Sequence, residues 1–221
     1  MELSKHLEFF NPVELDKPIH IIGLGAIGSN LAMQLTRLGC TNFYLYDFDK
    51  VEPKNIANQI YYYQDRDQLK TDATAYNMRS INPDVKLRTF DKGYTSQALS
   101  GYVFLAVDNI DLRRTIVEEN QLNSNIDSVY DFRMGLSDAQ HYAADWTDKE
   151  SINRLLSTMQ FTREEAAAAQ PVSACGTTLS VLPTIQIICA SGISNFINHV
   201  KGEGLKPMVL IDSFAFSTLV L

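Results

Sequence analysis

A chain of 221 residues with 45 % hydrophobic, 20 % charged and 10 % aromatic side chains suits one soluble domain with a substantial core and excludes disorder as its main state. Its 19 Lys+Arg stand against 26 Asp+Glu, a formal charge of −7 with no long basic run, which excludes nucleic acid as the main partner. The opening residues have no basic-then-apolar leader, no segment reaches the roughly 18 apolar residues of a membrane span, and the three scattered cysteines, Cys40, Cys175 and Cys189, fit a reducing compartment; the expectation is a cytoplasmic protein without a membrane partner.

Residues 1–18 read as an N-terminal extension. Pro18 precedes Ile19–Ile22, a short β-branched run, and Gly23 begins GLGAIG, after which Leu31, Leu35 and Leu38 recur at helical spacing until Gly39. Phe43–Tyr46 is a second short strand, ending in Asp47–Phe48–Asp49. Strand, helix and strand make a βαβ unit, which requires a parallel sheet and a right-handed crossover. The spacing predicts a helix over Lys70–Ile81 with Ala73, Tyr76 and Ile81 inward, stopped by Asn82–Pro83. Val85–Phe90 alternates as a strand. Tyr102–Val107 is a near-continuous apolar run, the pattern of a central parallel strand covered on both faces, with Asp108–Asn109 at its carboxyl end. A helix over Leu112–Leu122 and a strand over Ser128–Phe132 complete a doubly wound half.

Beyond residue 135 the regularity changes. Gln140–Trp146 reads as a strand, Thr147-x-x-Glu150 and Thr162-x-x-Glu165 each have capping-box spacing, and Pro183–Val200 reads as a long apolar helix. Met208–Ile211 and Phe214–Leu221 make a terminal hairpin around Asp212–Ser213, and the apolar ending STLVL belongs either inside the sheet or at a subunit interface. The predicted fold is α/β: a doubly wound, mostly parallel Rossmann-like sheet with helices on both faces, a nucleotide-binding core over 19–135, and a divergent part of the same domain over 136–221 that contains antiparallel strands.

The chemistry starts at Gly23-x-Gly25-x-x-Gly28, placed after a strand and opening a helix, where unpaired N–H groups and the positive end of the helix dipole meet phosphate. Asp47, 19 residues beyond Gly28, stands where a carboxylate accepts hydrogen bonds from ribose hydroxyls. Alone, this pattern says nucleotide and no more, and an NAD-dependent oxidoreductase is its default reading. Asp47 and Asp108 also have an ordinary reading as caps of strand ends or of the helix starting near Asn109, and Lys70 as a solvated helix-start residue.

The longer pattern points elsewhere. Asp47-Phe48-Asp49-x-Val51-Glu52-x-x-Asn55-x-x-x-Gln59, followed by Asp65, Lys70, Ile81-Asn82-Pro83, Asp108-Asn109-x-x-x-Arg113 and Arg133-Met134, resembles the ThiF/MoeB/HesA family, the adenylating relatives of ubiquitin-activating enzymes. The resemblance covers about residues 19–135. It implies an ATP-dependent adenylyltransferase, with ATP and magnesium as cofactors, a ubiquitin-like protein or peptide with a free C-terminal carboxylate as partner, and a homodimer. It further implies that Asp47 binds ribose, that Lys70 meets the phosphates, and that Asp108 supports magnesium and catalysis. The reaction itself demands cations and amide donors around the α-phosphate. Lys70 supplies a point charge, Asn55 and Gln59 neutral donors, and the Gly25–Gly28 turn backbone donors; Asn109 and Arg113 join the nucleotide-binding set, and Asp49 either joins it or orients the turn after it.

Two departures stand out. The family commonly has Arg in the Asn-x-x-Arg-Gln segment, where this chain has Asn58; losing a charge-assisted phosphate contact costs about 1.5–3 kcal/mol. Arg66, Arg113, Arg133 or a residue of a neighbouring subunit is the expected replacement; otherwise the chain is a catalytically impaired nucleotide-binding scaffold that partners an active subunit. The cysteine pairs that hold zinc in many bacterial members are missing, so no zinc is expected. Cys175 resembles the thioester-forming cysteine of ubiquitin activators, against the plainer reading of a buried structural thiol. Tyr61-Tyr62-Tyr63 reads as the lining of a peptide-tail channel or as a packing feature, and His6, His20, His141 and His199 are too dispersed for a metal motif.

Overall fold

The computed structural model describes every residue except Cys175 and Thr177. Eight strands form one sheet in the order β3-β2-β1-β4-β5-β6-β7-β8. The parallel part comprises β1 (Ile19–Ile22), β2 (Asn42–Tyr46), β3 (Lys86–Phe90), β4 (Gly101–Leu105) and β5 (Ile126–Met134). From β5 onward the chain reverses at each step through β6 (Asp138–Asp145), β7 (Met208–Asp212) and β8 (Ser217–Val220). The expected fold class and the terminal hairpin are both present.

Helices cover both faces. On one side α1 (Ala26–Arg37), α2 (Lys70–Ile81) and α6 (Leu182–Val200) enclose a core of Leu31, Leu35, Phe43, Phe104, Tyr130 and Phe196. On the other, α3 (Ile110–Asn120) and α4 (Lys149–Ser157) pack Ile116, Val117, Ile152 and Leu155 against Val103, Leu105 and Val129. The continuous apolar run at β4 follows from this double coverage. No helix among the described residues is long and apolar enough to cross a membrane.

Several sequence expectations need correction. Tyr76 faces solvent at 60 % exposure, and the inward side of α2 is Ala73, Thr74, Asn77 and Met78; Asn77 reaches the buried Asp65 carboxylate at 3.3 Å, so polar pairing replaced the apolar stripe. The helix after β6 opens one residue later than Thr147 implies. Asp148 caps it by accepting from Glu150 N at 2.9 Å, whereas Thr147 donates to Asp145. The second capping box is as expected, with Thr162 and Glu165 each accepting from the other's backbone N–H at the start of α5 (Arg163–Ala168). The apolar chain end forms β8, an edge strand exposed along its length.

Candidate functional site

At the switch point of the sheet, where the chain leaves β1 for one side and β4 for the other, ligands have a crevice at the carboxyl ends of the strands. A cleft of about 940 Å³ lies there. The three glycines of its turn do different jobs. Gly23 has φ +92°, and a Cβ on it would stand 2.8 Å from the Ala106 carbonyl and Val107 N. A Cβ on Gly28 would lie 1.8 Å from the Gly23 carbonyl oxygen, so this residue lets α1 pack onto the turn. Gly25 lines the cleft with nothing within 4 Å of a would-be Cβ. It is the N-cap of α1 and has no side chain to satisfy the first N–H groups, which leaves backbone donors and the dipole end for a ligand.

Asp47 is buried beside this turn. Its Oδ2 accepts from Leu24 N at 2.6 Å and its Oδ1 from Asp49 N at 2.8 Å, yet a carboxylate has about four acceptor positions, so capacity remains for hydroxyl donors. Burial pushes its pKa up, against the opposing pull of the Lys70 ammonium and the two N–H groups. Lys70, the first residue of α2, is buried with its Nζ 2.8 Å from Asp49 Oδ2, while Asp49 is half-exposed. Tyr61 links α2 to the glycine turn, its Oη donating to Leu24 O at 2.8 Å and lying 3.2 Å from Thr74 Oγ1 of α2.

Asn55, Gln59, Asp108 and Arg113 share the cleft with these groups. Asn55 Oδ1 accepts from Glu52 N at 2.8 Å, which shapes the short 3-10 turn Pro53–Asn55. Gln59 Oε1 is buried without a hydrogen-bond partner among the described residues. Asp108 is exposed at the end of the β4 connection. Asn109 stands apart from the cleft lining and caps α3, its Oδ1 accepting from Asp111 N at 3.0 Å and Leu112 N at 3.3 Å. Cys175 lies outside the described residues. Among those described, no three His, Cys, Asp or Glu side chains form a metal cage, so a magnesium ion here would need phosphate oxygens and water to complete its octahedral shell.

The expected replacement arginines are otherwise engaged. Arg66 is exposed over the Tyr63 ring at 3.7 Å and outside the cleft lining. Arg113 and Arg133 both bind the fully buried Asp131, Arg113 through Nη1 and Arg133 through Nε at 2.7 Å. Arg133 also donates to Thr158 O at 2.7 Å and lies 4.5 Å over the Tyr142 ring. Asn58 donates through Nδ2 to Ser180 Oγ at 2.6 Å. Lys54 pairs with Glu52 at 2.8 Å. Among the described residues, Lys92 is the one lining cation without an acid within 4 Å.

Sequence reasoning missed Lys92, Asp131 and Ser180. Lys92 and Ser180 carry no local signal, since each reaches the site only through folding. Asp131 did carry one: an acid within an apolar buried strand requires a buried cation. None of the three adjacent tyrosines lines the cleft; Tyr61 is buried and the other two are exposed.

A protein-family model described as the ThiF family matches residues 15–125, half of the 221-residue chain. The chain belongs to the ThiF family. Similar curated proteins include "Ubiquitin-like modifier-activating enzyme 5" of Drosophila mojavensis, 36 % identical over 130 residues covering 49 % of this chain and 32 % of that protein. The protein of the same name from Oryza sativa subsp. japonica is 39 % identical over 82 residues, covering 37 % and 19 %. This ThiF-family chain therefore spans about a third or less of the relatives it matches. Among solved structures, PaaA superposes with a TM-score of 0.72 at 16 % identity, over 99 % of this chain and 68 % of that one. E. coli MccB with ATP gives 0.67 at 14 %, over 95 % and 64 %, and E. coli tRNA N6-threonylcarbamoyladenosine dehydratase, TcdA, gives 0.67 at 16 %, over 91 % and 94 %. These last likenesses establish the fold.

Proposed function

We propose that this ThiF-family chain is an ATP-dependent adenylyltransferase that activates the C-terminal carboxylate of a ubiquitin-like protein or peptide as an acyl-adenylate. The observation that carries the reading is the open face of Gly25 in one cleft with Asp47, Lys70 and Asp108. In the reaction a carboxylate oxygen attacks the α-phosphorus of ATP, the bond from that phosphorus to the bridging oxygen breaks, and pyrophosphate leaves with the electron pair. Backbone N–H groups of the glycine turn and the α1 dipole receive phosphate charge. Asp47 accepts from ribose hydroxyls. Lys70 exchanges its Asp49 partner for phosphate, a change that Asp49 accommodates because it is half-exposed and passes into water. Asp108 is the residue that would hold magnesium carried in with the triphosphate, and the ion would supply further neutralisation of phosphate charge. The likeness to activating enzymes for ubiquitin-like modifiers and to a structure containing ATP supports the substrate class. A homodimer in a reducing cytoplasmic compartment is part of the reading.

The test is exchange of labelled pyrophosphate into ATP with magnesium and a Gly-Gly-ended protein or peptide. Wild type exchanges, and Asp108→Asn and Lys70→Ala each lose at least about a hundredfold, in the range of one transition-state charge contact. Exchange that persists unchanged in both variants sinks the assignment.

A second reading is favoured by one specific observation: both arginines of the cleft wall are held back by the one carboxylate of Asp131, which they share, and Asn58 is tied to Ser180. A nucleotide-binding scaffold serving an active subunit has this character. Calorimetry that detects ATP binding, with no exchange under any partner condition, selects it.

A further inference from the structure

The outer flank of the cleft rests on little packing. The helix α5 buries none of its residues. It continues to a narrow antiparallel ribbon in which Val172 bridges Thr178 and Leu179 N donates to Pro171 O at 2.8 Å. Ala166, Ala169, Pro171, Leu179 and Ser180 all line the cleft. Where this flank meets the well-packed α6, a chain of amide side chains binds it to the nucleotide side. Asn58 Nδ2 reaches Ser180 Oγ at 2.6 Å. The Asn58 carbonyl accepts from Asn30 Nδ2 at 3.2 Å, and Asn30 Oδ1 accepts from Gln186 Nε2 on α6 at 2.6 Å. Asn30 is itself buried on α1, the helix opened by the glycine turn.

One end of the Asn58 amide therefore holds Ser180, and the other, Oδ1, is buried with no partner among the described residues. A serine hydroxyl both donates and accepts, so this division holds whichever way the amide is turned. An arginine at this position also donates, but from the end of a longer stem, so it does not reproduce the short tie with the flank in this place.

We propose that Asn58 is a positioning residue that latches the outer flank of the cleft through Ser180 and couples the seating of that flank to nucleotide bound beside it. The nucleotide half of the proposal rests on the adenylation reading; the latch does not. Binding that favours the latched flank is reciprocally tightened by it.

The test is hydrogen exchange at the α5 amides and at Leu179 N, in full-length protein with and without ATP and magnesium. One hydrogen bond of ordinary net strength predicts about fivefold faster exchange in Asn58→Ala and in Ser180→Ala, no further gain in the double variant, and wild-type rates in Ser180→Thr, which keeps the hydroxyl. Magnesium-ATP slows these amides in wild type and much less in either alanine variant, while the β4 and β5 amides exchange as in wild type and so report an intact fold. Asn58→Arg exchanges as fast as Asn58→Ala. Unchanged flank rates in the alanine variants overturn the latch, as does an Asn58→Arg protein with a wild-type flank and raised pyrophosphate exchange, which would make position 58 a lost arginine. A wild type that binds no ATP removes the adenylation reading and the nucleotide coupling, while flank rates in nucleotide-free protein still decide the latch.

Discussion

Gly25 and Gly28 share a motif but face opposite constraints. A methyl at Gly25 enters the cleft and touches no protein atom within 4 Å, so Gly25→Ala should keep its stability within about 0.5 kcal/mol and lose ATP affinity in calorimetry. A methyl at Gly28 collides with the Gly23 carbonyl at 1.8 Å. Gly28→Ala should lose about 1–3 kcal/mol or more in urea unfolding, because the helix must lift off the turn. Equal ATP affinity in Gly25→Ala and wild type would count against a ligand in this cradle. At Asp131 the geometry makes a different demand. Its carboxylate is fully buried between Arg113 and Arg133, so Asp131→Asn leaves two cations without their counter-charge and should cost about 3–5 kcal/mol in the same measurement.

Buried histidines set a pH dependence. His20, stacked on Tyr44 with its Nδ1 2.9 Å from Tyr46 Oη, and His141, packed beside Phe132, are both pushed down to about 4 by burial. The unfolded chain binds protons at these sites below the ordinary value of 6.5, whereas the folded chain does so only near 4. Stability is therefore full above about pH 6.5 and falls as pH drops towards 4, by on the order of 3 kcal/mol per histidine at most. Asp47 works with the opposite sign. Its raised folded pKa means that the folded state takes up a proton more readily, which offsets part of the loss. Urea midpoints from pH 7 to 4.5 should fall in wild type and fall less steeply in His141→Gln; parallel curves would refute the assignment to His141.

Among the elements, α5 is held by its ends. Its capping box is complete, but it buries no residue. Thr162→Ala removes a cap contribution of about 1 kcal/mol, and because no core depends on this helix the global unfolding midpoint should stay put while proteolysis near residues 163–170 accelerates. A midpoint that moves by the full amount would show that α5 unfolds only with the whole domain. The contrast with α2 explains why boundaries there were easier to read. Lys70–Ile81 ends against Asn82–Pro83, and Pro83 bars continuation. The inward face of α2 differs from the apolar expectation at Tyr76 because Asn77 pairs with Asp65, a partner supplied by a different segment.

At the level of the whole molecule, α6 joins the parallel and antiparallel parts of the sheet by crossing one face of it. Phe196 packs edge-on to Tyr102, Phe104 and Tyr130, and also to Phe10 from the N-terminal stretch. Close approach depends on Gly192, where a Cβ would stand 2.2 Å from the Phe132 ring. Gly192→Ala should force α6 away from the sheet, lower stability by about 1–3 kcal/mol in thermal or urea unfolding, and loosen the cleft wall that Phe132 helps to line.

Local rules were enough for the strand–glycine–helix unit, the parallel half of the sheet and the family resemblance, since short periodicities and spaced polar residues are written contiguously along the chain. They also marked the residues that gather in the cleft, Asp47, Lys70 and Asp108 among them. Folding alone decided which charges are available there. Lys70 meets Asp49 across 21 positions, Arg113 and Arg133 meet at Asp131, and Asn58 meets Ser180 across 122 positions. Charge–charge and hydrogen-bond energies depend on distances in space, and those distances arise only when the sheet order and the crossing of α6 bring remote segments together.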